Sequence, residues 1–140
     1  MSKIAVVYWS GTGNTEEMAK AVAKGAQEAG AQTELFSAAE FSADKLDSFD
    51  GIALGCPAMG AEELEDSEFL PMYESIKDRL SGKKIVLFGS YGWGDGERMR
   101  VWDEEVKALG ADVTADFVIA NEAPDADAIA ACEKLGASMV

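Results

Sequence analysis

The chain has no histidine in its 140 residues. That removes the commonest general base and metal ligand and excludes a Ser-His-Asp hydrolytic triad. Cysteine is scarce too. Cys56 and Cys132 stand far apart, in no CxxC pair and no metal-ligand spacing. They read as small core residues, and no metal site is expected. Bases are few: 12 Lys and Arg face 26 Asp and Glu, a net charge of −14. Such a surface repels phosphates, which argues against nucleic acid and against anionic membranes. No apolar run is long enough to cross a bilayer, and no basic N-terminal region leads into an apolar stretch, so a cytoplasmic location is expected. Repeats, linkers and low-complexity segments are absent as well. What is present is 48% hydrophobic residues, enough for one folded domain over residues 1–140.

Short apolar runs alternate with amphipathic ones. Strands are expected over 3–9, 33–37, 51–55, 84–89 and 113–120, the last without an inserted loop. Helices are expected over 13–29, 67–80, 97–109 and 125–138. Met18, Ala19, Val22, Ala23 and Ala26 share one face of the first. Phe69, Tyr73, Ile76 and Leu80 share a face of the second, where Pro71 fits the first turn. Met99, Trp102, Val106 and Leu109 point inward from the third, and Ile129, Cys132, Leu135 and Met139 from the fourth. Residues 38–46 read as a loop or a single helical turn. Continuously apolar strands separated by helices imply a parallel sheet covered on both faces, a three-layer, doubly wound α/β fold with five strands. Ligands of such folds sit beyond the carboxyl ends of the strands.

Three loops at that edge carry unusual residues. The first is Ser10-Gly11-Thr12-Gly13-Asn14-Thr15, directly after a buried strand and opening a helix. Glycines let backbone N–H groups converge, the hydroxyls and amide add donors, and the helix offers its positive end. The loop holds no Lys or Arg, which suits a terminal monophosphate held by neutral hydrogen bonds. It is neither a dinucleotide fingerprint nor a Walker A loop. The second is Pro57-Ala58-Met59-Gly60-Ala61-Glu62, whose methionine suits packing on a flat aromatic surface. The third runs through Ser90-Tyr91-Gly92-Trp93-Gly94, where two aromatics among glycines suit stacking on a planar ligand. A phosphate anchor and two walls for a flat ring describe a phosphorylated aromatic cofactor, and flavin mononucleotide (FMN) fits.

Taken in order and spacing, these segments resemble the flavodoxin family over the whole chain. The run Val7-Tyr8-Trp9-Ser10-Gly11-Thr12-Gly13-Asn14-Thr15 resembles its phosphate loop. Met59-Gly60 and Gly89-Ser90-Tyr91-Gly92-Trp93-Gly94 resemble the flavin-flanking loops of its short-chain members from anaerobic bacteria. The resemblance implies a sheet of order 2-1-3-4-5 with FMN at the switch point. It implies a low-potential carrier of single electrons on non-covalent FMN, using the semiquinone/hydroquinone couple. Ser10, Thr12, Asn14, Thr15 and Ser90 would hold the phosphate. Met59 would cover the inner flavin face, Trp93 the outer, and Glu62 would reach the ring N3–H. The peptide after Gly60 would turn over on reduction, so that its carbonyl accepts from protonated N5. Relatives often carry Asp, Asn or Ser where this chain has Ala61. A left-handed conformation there would cost about 1–2 kcal/mol and lower the first-electron potential.

Residues 46–76 hold eight acids and no base, and residues 108–133 six acids and no base. Flanking the flavin edge, they would disfavour an anionic reduced flavin and steer docking to basic surfaces of partners such as ferredoxin-type oxidoreductases. A monomer is expected. The rival reading is a flavin-dependent NAD(P)H or quinone reductase of the same fold.

Overall fold

The computed structural model of the protein describes residues 3–9, 13–56, 68–91, 97–121 and 124–140, with the side chains at 90–91, 97–99 and 121 outside that description. Its first strand explains the layering. Along β1 (Lys3–Tyr8), Ile4 and Val6 point to one face, and Ala5 and Val7 to the other. All four are fully buried, because a strand covered on both sides has no polar face.

β1 pairs in parallel with β2 (Gln32–Ser37) on one side and β3 (Gly51–Gly55) on the other. β3 pairs with β4 (Lys84–Tyr91). β4 pairs with two short strands, β5 (Asp112–Val113) and β6 (Val118–Asn121). The path β2-β1-β3-β4-β5 is the expected order. Helices α1 (Asn14–Glu28) and α5 (Ala126–Ala137) cover one face with Met18, Val22, Ala26, Cys132, Leu135 and Met139. Helices α3 (Phe69–Ile76) and α4 (Glu97–Ala108) cover the other, where Phe69, Tyr73, Ile76, Trp102 and Val106 are buried. Between β2 and β3 lie a 3₁₀ turn (Ala38–Glu40) and the four-residue α2 (Ala43–Leu46), so the stretch over 38–46 is two short turns.

Three boundaries differ from expectation. The fifth strand is not continuous over 113–120. Ile85 pairs with Val113 and Phe88 with Val118, so three steps on β4 face five on its neighbour. Two extra residues must leave the ladder, as in a bulge. Thr114 shares a hydroxyl contact of 3.0 Å with Ser138, and Asp116 is a poor strand former. The strand expected over 84–89 runs on to Tyr91, because Ser90 and Tyr91 pair with Ala120 and Asn121 of β6. The helix over 67–80 is α-helical only over Phe69–Ile76 and tightens to 3₁₀ at Lys77–Arg79. Among the inward-facing residues expected, Leu109 and Ile129 are half-buried rather than buried.

Candidate functional site

The chain runs outward from β1 in both directions along the sheet, to β2 on one side and to β3 on the other. This is the switch point of a doubly wound fold, where a crevice opens beyond the carboxyl ends of the strands. Tyr8 and Gly55 are paired there, so β1 and β3 end level at one edge, and β4 runs on beyond it from Phe88, the partner of Gly55, to Tyr91. α1 leaves this edge on one face of the sheet and α3 enters from it on the other.

Three of the residues expected to bind phosphate are described at the start of α1. Gly13 is the N-cap, in the left-handed region at φ 93°. A Cβ there would meet no heavy atom of the described residues within 4 Å, and the positive φ itself calls for glycine. A glycine cap brings no side-chain oxygen to the first turn, which suits a helix whose N-terminus receives an anion. Asn14 follows half-buried, and Thr15 is 1% exposed, a buried hydroxyl in the first turn of α1. Ser90 and Tyr91 are placed by backbone alone, as the last residues of β4. Ser10, Gly11 and Thr12, the whole of Pro57, Ala58, Met59, Gly60, Ala61 and Glu62, and Gly92, Trp93 and Gly94 lie outside the described residues. The donor set that is described fits a phosphorylated cofactor: a glycine-capped fifteen-residue helix aimed into a switch-point crevice, with a buried threonine in its first turn.

Two residues that sequence reasoning passed over stand at the rim. Trp9 follows β1, and its indole Nε1–H donates to Glu68 Oε1 at 3.0 Å. Its backbone N–H donates to the Gly55 carbonyl at 3.0 Å. The signal available was the tryptophan itself: an indole packed on a core needs an acceptor for its N–H. Tyr8, Trp9, Glu16, Ser37, Ala38, Ala39 and Glu68 line a cavity of about 320 Å³ beside the crevice. Burial, then the charges of Glu16 and Glu40, push the Tyr8 phenol above its ordinary range, so it stays neutral at physiological pH. Both cysteines are buried, as expected of core residues. Among the described residues no cluster of acidic, cysteine or histidine side chains has the makings of a metal site, and no helix is long and apolar enough to cross a membrane.

The sheet order and the crevice place the chain in the flavodoxin-like class of doubly wound α/β proteins. The family model for flavodoxin matches residues 6–136. The chain is 48% identical to a flavodoxin of Clostridium beijerinckii over 120 residues, 86% of this chain and 87% of the relative. It is 47% identical to a flavodoxin of Megasphaera elsdenii over 122 residues, 87% of this chain and 88% of the relative. The solution structure of the two-electron reduced Megasphaera elsdenii flavodoxin superposes with a TM-score of 0.88 at 45% identity, covering 97% of each chain. The chain belongs to the flavodoxin family, and its length is that of the short-chain members. It is an FMN-binding electron carrier rather than an enzyme, and the reductase alternative is not favoured.

Proposed function

We propose that FMN is held by the three loops at the switch-point edge and that the chain carries single electrons at low potential between proteins with basic docking surfaces. When bound, FMN supplies the redox chemistry. Ser10, Thr12, Asn14, Thr15 and Ser90 donate to its phosphate, with Gly11 and Gly13 letting the backbone N–H groups converge. Met59 covers one face of the ring and Trp93 the other. Glu62 accepts from the ring N3–H. Pro57, Ala58, Tyr91, Gly92 and Gly94 shape the walls. The Gly60 carbonyl would be available to accept a hydrogen bond at the N5 edge of the ring. The observation that carries this reading is the glycine-capped start of α1 in the crevice between β1 and β3.

Titration of the flavin-free full chain with FMN, followed by stepwise anaerobic reduction, tests it. Quenched flavin fluorescence and two separate one-electron steps are expected. Tight binding with one two-electron step would overturn the carrier mechanism, and Trp93→Ala with unchanged affinity would overturn the ring wall. If the turned-over peptide needs positive φ at residue 61, an Ala61→Gly variant is expected to raise the first-electron potential by up to about 59 mV per ~1.4 kcal/mol relieved. Equal potentials would refute the strain.

The acid-only stretches over 46–76 and 108–133 support docking by charge. The rate of electron transfer to a ferredoxin-type oxidoreductase is expected to fall as salt rises, and a salt-independent rate would count against it. Two separate, reduced, buried cysteines suit a cytoplasmic location. We read residues 1–140 as one domain that works as a monomer. Sedimentation at increasing concentration checks the oligomeric state.

A further inference from the structure

We propose that Trp9 is a positioning residue that couples the phosphate loop to the loop after β3, through a side-chain strut to Glu68. The inference rests on the assignment of those two loops to the cofactor. Trp9 stands immediately before Ser10, where the phosphate loop begins. Its backbone N–H is bonded to Gly55 O, the last residue of β3, from which the second loop departs through Cys56. Its indole N–H is bonded to Glu68 Oε1, where that loop returns at the start of α3. One residue beside the phosphate loop thus grips both ends of the segment that contains Met59, Gly60 and Glu62. Trp9 and Glu68 lie 59 residues apart in sequence, and only the fold brings them together.

The local chemistry favours a purpose-built bond. Glu68 occupies the N-cap position of α3, yet its side chain makes no capping bond to its own helix. Its carboxylate is turned to the indole instead. The Trp9 ring packs against the buried cluster under α3 and α4, so the donor is held in one direction before the acceptor arrives. A pre-oriented donor and a charged acceptor make the stronger kind of hydrogen bond, even at a solvent-accessible rim. Phosphate bound by the first loop fixes Trp9, and Trp9 in turn fixes the ends of the loop that covers the ring. Part of the phosphate's contribution to binding is therefore delivered at the ring, through the bond from Trp9 to Glu68.

Riboflavin, which is FMN without its phosphate, makes this measurable. Dissociation constants of the full-length chain for FMN and for riboflavin are compared in Trp9→Phe, Glu68→Ala, Glu68→Gln and the Trp9→Phe/Glu68→Ala pair. Trp9→Phe keeps an aromatic ring and the backbone bond and removes only the N–H. Its ratio of riboflavin to FMN dissociation constants is expected to fall about fivefold, the scale of one exposed hydrogen bond. Glu68→Ala is expected to match it, the pair to lose no more than either alone, and Glu68→Gln, which keeps an acceptor oxygen, to stay near the parent. Parallel weakening of both ligands, no change in either, or additive losses in the pair would overturn the strut. Thr12→Ala run alongside separates the two layers of the argument. It should weaken FMN and spare riboflavin. If it does so while Trp9→Phe leaves the ratio unmoved, the strut falls and the phosphate-loop assignment stands. If Thr12→Ala moves neither ligand, the assignment fails and the strut with it.

Discussion

The two faces of the sheet are built on opposite plans. Under α3 and α4 the core is aromatic. Phe69 and Tyr73 of α3 meet Trp102 of α4 edge-on, at ring separations of 5.4 and 5.9 Å. Under α1 and α5 the buried residues are mostly small, and where the helices cross there is almost no side chain at all. A Cβ on Gly25 would lie 1.8 Å from the Glu133 carbonyl oxygen, and one on Gly136 1.9 Å from that of Val22. One face fixes its helices by filling a gap and the other by leaving none. The difference matches what each face supports. α1 starts at the loop proposed to bind phosphate, where backbone N–H groups would have to be held in place, and a backbone-to-backbone helix contact has little freedom to slide. α3 and α4 start after the two loops proposed to wall the flavin, and rings in edge contact give them a wide apolar platform.

Removing volume from the aromatic face is expected to produce the largest effect. Trp102→Ala should cost about 3–5 kcal/mol in urea unfolding. Trp102→Phe sharpens the point, because Trp102 Nε1 is buried and has no acceptor among the described residues. That variant should lose less than about 1.5 kcal/mol, since an unmet N–H leaves with the volume. Adding volume to the small-residue face comes next. Gly136→Ala inserts one methyl between two backbones and should cost about 1–3 kcal/mol, although alanine is the better helix former. If Gly136→Ala were stabilising, the contrast between the faces would be false.

The parallel sheet, the helical faces and the edge at which the loops gather were legible because they follow from periodicity and strand–helix alternation, whereas the strand order came only with the family resemblance. Ile4, Val6 and Ala5, Val7 alternate, and Phe69, Tyr73 and Ile76 recur at helical spacing. Two things were hidden for physical reasons. The bulge at residues 114–117 depends on how many residues β4 offers opposite, which is a property of a pair of strands and not of one. The Trp9–Glu68 bond joins residues that only the fold brings together, and each taken alone looks ordinary: an apolar strand end and one acid among many. Ser90 and Tyr91 carried the loop's chemistry in sequence but are strand by pairing, since β6 runs alongside them.

Cys132 tests the small-residue face by pH. Burial, then the charge of Glu133, pushes its thiol from 9.0 up to about 12. In that window the folded chain keeps a proton that the unfolded chain has lost. Stability from this group is therefore complete below about pH 9 and falls as pH rises toward 12. Urea midpoints of the parent should decline above pH 9 more steeply than those of Cys132→Ala, and a thiol reagent should label Cys132 only on unfolding. Labelling of the folded protein would mean that α1 and α5 separate readily.

The smallest effect is expected at the margin of the sheet, outside the crossing of α1 and α5. Ser37 at the end of β2 donates to Glu40 Oε1 from both its backbone N–H and its hydroxyl, each at 2.9 Å. The backbone bond first, then the hydroxyl, holds the Glu40 carboxyl below its ordinary 4.5. A carboxylate favoured in the folded state adds stability above its unfolded pKa and loses it as pH falls through the lowered folded value. The parent should therefore unfold at slightly higher urea than Glu40→Gln at neutral pH, and the gap should close on acidification below the carboxylate range. Combined with Gly136→Ala the two losses should add, because the capped turn shares no partner with the helix crossing. A coupling between them would mean that the edge strand senses how closely α1 sits on α5, so that the small-residue face would extend its grip to β2 and to the rim of the cavity beside the cofactor crevice.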